Sequence, residues 1–328
     1  MKFIASLFFL LASLLFAAGA WWLQQPLNLR NEVVELTVEP GKGARTVVQS
    51  LVTGGVEVQP QLLYWWIRLS GQSRQLKAGS YEISGQPTPR ALVAKLVRGE
   101  VAQRSVALVE GLTFAQWRGL LRNAAYLKPE TQGLSDAAIM EKLGRPGVHP
   151  EGRFFPATYT YAKNASDLSV LRQALQAMDQ RLAQVWAQRA PDSPLKSPDE
   201  ALILASIVEK ETGRAADRGE IAGVFTNRLR KGMLLQTDPT VIYGLGPKFD
   251  GNLRKRDLQA DTPWNTYTRA GLPPTPIAMP GLEALQAAVQ PAQTPALYFV
   301  ARGDGSSEFS ATLVDHNRAV RKYQLGQR

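Results

Sequence analysis

The chain has 328 residues, no cysteine, two histidines and a formal net charge of +10. That length accommodates two domains, and the missing cysteines exclude disulfides, thiolate metal sites and cysteine nucleophiles. With only His149 and His316, far apart in sequence, a zinc site or a Ser-His-Asp triad has little material to work with.

Residues 4–22, IASLFFLLASLLFAAGAWW, carry no charge and are just long enough to span a bilayer's hydrocarbon core. Trp21 and Trp22 suit the membrane–water interface, and Lys2 ahead of the run favours an N-terminus inside with residues 1–3 cytoplasmic. The rival reading is a cleaved signal peptide, with Ala18-Gly19-Ala20 as the cleavage site. Both readings export the remainder. Basic residues are scattered, with local clusters at Arg228–Lys231 and Arg254–Arg256. Behind an export segment, anionic lipid or an anionic cell-wall polymer suits such a surface better than nucleic acid, and plain solubility explains it equally well.

Residues 23–35 read as a short polar connector. Residues 36–103 read as a small α+β module. VVELTV at 33–38 alternates like a strand. A helix over 44–55 ends at glycine, and a second over 60–71 starts with Pro60. A strand over 78–84 and a helix over 88–100 complete the module. Its strand-helix-helix-strand order resembles a LysM module, which implies a grip on amino-sugar polymers; a pure spacer is the competing role. Tyr64, Trp65 and Trp66 are adjacent and cannot share one helix face, so core packing accounts for most of them.

Residues 104–328 read as a mixed α+β domain. A strand and a helix capped near Thr113 occupy 106–124, and helices follow over 135–143 and 166–190. A hairpin turns at Asp304-Gly305 within 296–312, and a helix over 315–324 closes the chain.

The stretch DEALILASIVEKETG at 199–213 carries the chemistry. Ser197 fits the N-cap, Pro198 the first helical position, Glu200 the capping-box position, and Gly213 a stop. At about 100° per residue, Ala201, Leu204, Ala205 and Val208 define the buried side, with Ser206 and Lys210 opposite. Glu211 falls between Leu204 and Ile207, and Glu209 between Leu202 and Ala205. Two residues apart, they do not face each other, so one readily reaches a shared cleft. Glu211 has the larger aliphatic neighbours. Burial there would keep its acid form near neutral pH, as glycosidic bond cleavage requires.

The turn LQTDPT at 235–240 adds polar side chains. At such a turn Gln236 and Thr237 can line a cleft. Asp238 reads first as the cap of the next helix, with Pro239 in its first turn, and second as a binding group. GLPPTP at 271–276 must be a stiff loop. Phe155 and Tyr159 suit an aromatic cleft floor or the core.

Four runs together, EGRFFPATYTY at 151–161, LILASIVEKETG at 202–213, VFTNRLRKGMLLQTDPTVIYGLG at 224–246 and WNTYTRAGLPPTPIAMPG at 264–281, resemble the membrane-anchored endolytic murein transglycosylase family. The resemblance implies an anchored α+β enzyme of the inner membrane, with a glycan-binding cleft in the periplasm. It needs no cofactor. Glu211 occupies the position of the family's catalytic acid. Gln236, Thr237, Asp238, Asn265 and Tyr267 become substrate-binding residues, the last two carried over from the family's groove. Ala157 stands where the family often has an acidic residue. The implied reaction cuts nascent glycan strands between MurNAc and GlcNAc and leaves 1,6-anhydroMurNAc ends, with murein synthases of the penicillin-binding class as neighbours. A single acid suffices, because the sugar's own 6-hydroxyl is the nucleophile, whereas most glycosidases need two carboxylates. The competing functions are a hydrolytic muramidase and a non-catalytic glycan scaffold.

Overall fold

The computed structural model describes residues 2–326, with side chains from residue 6 onward. It divides into two units, Met1–Arg104 with Thr160–Ala165, and Ser105–Tyr159 with Ser166–Arg328.

The first unit opens with helix α1 (Lys2–Trp22), whose side chains from Leu7 to Trp21 are largely solvent-exposed and apolar. Among the described residues no helix is long and apolar enough to cross a membrane. The expected span over 4–22 starts on residues 4 and 5, whose side chains lie outside the described set. Residues 23–35, read from the sequence as a short polar connector, are tied into the first unit. Leu23 and Leu27 are buried, the Leu27 N–H donates to Pro87 O at 2.9 Å, and β1 (Asn28–Leu29) pairs with β3 (Val56–Glu57).

β2 (Val33–Val38) runs antiparallel to β4 (Gly79–Ser84), from Val33 opposite Ser84 to Val38 opposite Gly79. Its alternation buries Val34, Leu36 and Val38. Against them pack α2 (Ala44–Gly54), α3 (Pro60–Leu69) and α4 (Pro89–Arg98), through Val47, Leu51, Leu63, Ile67, Leu92 and Leu96. Local signals set the helix ends. Thr88 Oγ1 accepts the Ala91 N–H ahead of α4, and α2 stops where Gly55 turns left-handed at φ 111°. On α3, Trp65 is exposed while Tyr64 and Trp66 lean on the core.

β5 (Gln103–Leu108) and β6 (Ala157–Ala162) carry the chain across the division between units. The second unit is mainly helical. α5 (Phe114–Arg122) starts with a capping box between Thr113 and Gln116, and α6 (Asp136–Lys142) is capped by Ser135. There follow α7 (Asp167–Ala187), α8 (Pro198–Glu211), α9 (Ala215–Arg230), α10 (Asp238–Leu245), α11 (Lys255–Gln259) and α12 (Leu282–Val289). The hairpin of β7 (Tyr298–Ala301) and β8 (Ser307–Ser310) and the helix α13 (Leu313–Tyr323) close the unit.

Helix α8 is the hub, packed by α7, α9, α10 and α12. Ser197 Oγ accepts the Glu200 N–H at 3.2 Å, which fixes its start. The two-sided face drawn from the sequence does not hold. Every residue from Ala201 to Val208 is buried, because neighbours surround the helix rather than line one side. Ser206 is buried completely (0% exposed). It tolerates this by donating to Ile203 O at 2.7 Å and accepting the Ile277 N–H at 3.0 Å, which pins the segment before α12 to the hub.

Ser206→Ala removes the acceptor and leaves a buried amide unpaired, a loss of about 1–3 kcal/mol. Urea denaturation is expected to show that loss, and an unchanged midpoint would contradict the role given to this hydroxyl.

Candidate active site

Glu211 is the last residue of α8, and Thr212 leaves the helix in extended conformation. Only part of Glu211 reaches solvent. Burial pushes its carboxyl up to about 7, helped by the Asp238 charge and opposed by a Thr237 hydrogen bond and by Arg228. Thr237 Oγ1 donates to Glu211 Oε1.

That contact is held from several directions. Thr237 is the N-cap of α10 and is 2% exposed. Its N–H donates to Thr266 Oγ1 at 3.1 Å, and its carbonyl accepts the Thr240 hydroxyl at 2.7 Å. The hydroxyls of Thr240 and Thr266 lie 2.8 Å apart. The preceding residue, Gln236, takes a left-handed backbone (φ 48°) and leaves its side chain exposed. Asp238 does not cap the helix. It stands at the first helical position, and its Oδ1 accepts the Tyr267 hydroxyl at 2.5 Å. Burial, this hydrogen bond and the neighbouring carboxylates hold the Tyr267 phenol above its ordinary range.

Arg228, buried on α9, is the nearby cation. Its Nε donates to Leu297 O at 2.7 Å and its Nη1 to Leu235 O at 2.8 Å, so the guanidinium is immobile. Burial lowers its pKa, against the opposing influence of Tyr298, Tyr267 and Glu211; a guanidinium stays charged regardless.

The second acid of the helix has a different fate. Burial raises Glu209, with Glu110 adding to the rise, yet its carboxylate accepts the Gly281 N–H at 3.0 Å, at the start of α12. That contact ties it to structure. Of the expected substrate-binding residues, Gln236, Asp238 and Tyr267 keep solvent-facing surface around Glu211's neighbourhood, and Thr237 is its direct partner. Asn265 is a correction. It is 0% exposed, donates to Leu258 O at 3.0 Å and Ala260 O at 2.6 Å, and accepts the Tyr267 N–H at 2.8 Å. It shapes the loop and has no surface for a glycan. Tyr159 and Phe155 follow the core reading: Tyr159 is buried and Phe155 packs on the core around α8.

A second perturbed acid went unread in the sequence. Glu151 leads the EGRFFP run and is 3% exposed. Burial pushes it up to about 7 against hydrogen bonds from Phe114 and Tyr243. Its Oε1 accepts the Phe114 N–H at 2.9 Å and its Oε2 the Tyr243 hydroxyl at 3.1 Å. The available signal was a carboxylate heading a run with adjacent aromatics, among them Phe154, stacked on Phe114 at 5.1 Å.

A family model described as the YceG-like family matches residues 36–322. The chain belongs to the YceG-like family. It is 30% identical over 307 residues to the endolytic murein transglycosylase of Bacillus subtilis (strain 168), an alignment covering 88% of this chain and 84% of that protein. It is 34% identical over 183 residues to the endolytic murein transglycosylase of Streptococcus pneumoniae serotype 2 (strain D39), covering 53% of this chain and 32% of that one. A 2.6 Å crystal structure of a yceG-like protein from Listeria monocytogenes superposes with a TM-score of 0.55 at 28% identity, over 88% of this chain and 98% of that one. The YceG-like fold is therefore shared across nearly the whole of that structure.

Glu151 and Glu211 hold protons in the folded chain up to about pH 7, whereas the ordinary value is 4.5. The folded state binds more protons between these limits, so both groups lower stability as pH rises through the window, and the penalty is complete above it. Glu211→Gln is expected to raise the melting temperature relative to the parent at about pH 8 and to give no such gain at about pH 4. Thermal melts at both pH values check this; an equal difference at both would contradict it.

Proposed function

We propose that this chain is an endolytic murein transglycosylase with Glu211 as its acid. The carrying observation is the Glu211 carboxyl, held up to about 7 by burial beside the Thr237 hydroxyl. At neutral pH a large fraction of it is protonated, as a general acid requires. The relatives named above carry the same activity in their names.

In the reaction, protonated Glu211 gives its proton to the glycosidic oxygen between MurNAc and GlcNAc as the bond to the anomeric carbon breaks. The MurNAc 6-hydroxyl then attacks that carbon, and the carboxylate of Glu211 takes the hydroxyl proton. The product ends in 1,6-anhydroMurNAc, no water is consumed, and Glu211 returns to its starting state. Arg228 steadies the transient carboxylate, while Gln236, Asp238 and Tyr267 supply polar groups for the strand. Hydrolysis would need a second carboxylate free to activate water. Glu151 does not meet that need, because Phe114 and Tyr243 occupy its oxygens.

The reading extends to location. Counted from Lys2, α1 has 21 residues, roughly 31 Å of helix, with apolar side chains exposed between Leu7 and Trp21. That length matches a bilayer core and supports an inner-membrane anchor with the chain after α1 in the periplasm. An anchor confines the acid to newly made strands near murein synthases. The LysM-like unit serves as a glycan grip.

Glu211→Gln is expected to keep the fold and murein binding while losing roughly 10²–10⁴-fold or more in rate. Mass spectrometry of digested glycan strands reads the anhydro ends, and their persistence with the purified variant would remove Glu211 from the mechanism. In washed membranes the protein is expected to stay in the pellet and to crosslink to a murein synthase. Release into the soluble fraction would end the anchor, and the absence of any synthase adduct would end the partnership.

A further inference from the structure

Glu151 has less solvent-exposed surface than Glu211 and takes no part in the proposed reaction. Among the described residues it makes no ion pair. Its contacts are donors from other elements, the Phe114 N–H at the start of α5 and the Tyr243 hydroxyl near the end of α10. Its own N–H donates to His149 Nδ1 at 3.2 Å. A carboxyl so placed is costly to ionise, and it persists where its hydrogen bonds have a task.

The task follows from what else α10 carries. Thr237 at one end touches Glu211, and Asp238 beside it takes the Tyr267 hydroxyl. Tyr243 lies near the other end, about 9 Å further along the axis. Its ring meets Trp264 edge-on at 5.5 Å, and Trp264 Nε1 donates to Thr275 Oγ1 at 2.9 Å. The backbone next to Glu151 is equally constrained. Gly152 is left-handed at φ 77°, and a Cβ there would meet Pro276 at 2.5 Å. Glu151 is thus fixed by its own loop and holds the far end of a short helix whose near end serves the acid.

We propose that Glu151 is a positioning residue: by holding the Tyr243 hydroxyl it fixes helix α10, so that Thr237 stays in contact with Glu211. The inference rests on the reading of Glu211 as the acid. Glu211 is faced by Thr237 and Asp238 from α10, Arg228 from α9 and Tyr267 from the loop beyond α11. Glu151 is faced by Tyr243, the Phe114 N–H, His149 and the Asp136 charge from α6. The Thr237 donor favours the Glu211 carboxylate. If α10 shifts and the donor is lost, Glu211 keeps its proton to higher pH, and the alkaline limb of the activity profile moves up. A general loss of stability reduces the amount of active enzyme and leaves the limb in place.

The test is kcat/KM against pH on glycan strands with the full-length protein, paired with carbon-13 NMR titration of Glu211. Thr237→Val sets the reference, a limb raised by about one pH unit. Glu151→Ala and Tyr243→Phe are expected to move limb and titration in the same direction. Glu151→Gln is expected to restore both, since its amide oxygen accepts the Phe114 N–H and its amide nitrogen donates to the tyrosine oxygen. If Glu151→Ala does not fold, Tyr243→Phe, which loses a single oxygen atom, carries the test. Wild-type behaviour in Tyr243→Phe, or Glu151→Gln behaving like Glu151→Ala, would overturn the inference. A parent protein without cleavage at any pH would sink the transglycosylase reading instead, and the NMR titration would still decide the role of Glu151.

Discussion

The second unit is organised around one electrostatic constraint: a carboxyl must be kept largely out of water at the end of a helix that is buried on all sides. Helix α8 meets this because α7, α9, α10 and α12 enclose its middle, Ala201 to Val208, and leave its two ends near the surface. Burial outweighs the two groups that favour ionisation, the Thr237 hydroxyl and the Arg228 guanidinium. Without the enclosing helices those two would leave Glu211 an ordinary carboxylate, with little proton to give at neutral pH.

Glu209, Glu211 and Glu151 show how environment assigns roles to one residue type. Glu209 shares the helix with Glu211 but meets the Gly281 N–H at the start of α12, a structural partner. Glu211 meets a hydroxyl beside solvent-facing polar groups. Glu151 is sealed between α5 and α10. The hydrogen-bond partner of each carboxyl, more than its upward shift, separates the three environments.

Much of this was legible in the chain because it is written in local rules. Ser197 and Thr113 cap their helices as the sequence reading expected, and the 33–38 alternation gives the inward row of β2. The failures are all tertiary. Ser206 falls opposite the expected buried side by helical phase, and its bonds to Ile203 O and to the Ile277 N–H, 71 residues on, explain its burial. Asp238 has a capping residue's identity, but Tyr267 competes successfully for its carboxylate. Asn265 looks like a ligand for sugar and is consumed by three nearby carbonyls. Glu151 sits in a run whose aromatics drew attention to packing, and its partners come from elements before and after it in the chain. No periodicity encodes such meetings.

The Thr237 side chain has one property that an amide in its place would lack. An asparagine or glutamine presents a donor at one atom and an acceptor at another, and changing between them means turning the whole group over. A hydroxyl does both through one oxygen, by swinging a hydrogen around the C–O bond. When Glu211 is a carboxylate the hydroxyl points toward it; when Glu211 carries a proton the same oxygen receives it. Both protonation states of Glu211 are therefore served by a rotor of one light atom, and the buried threonine cluster around it need not move.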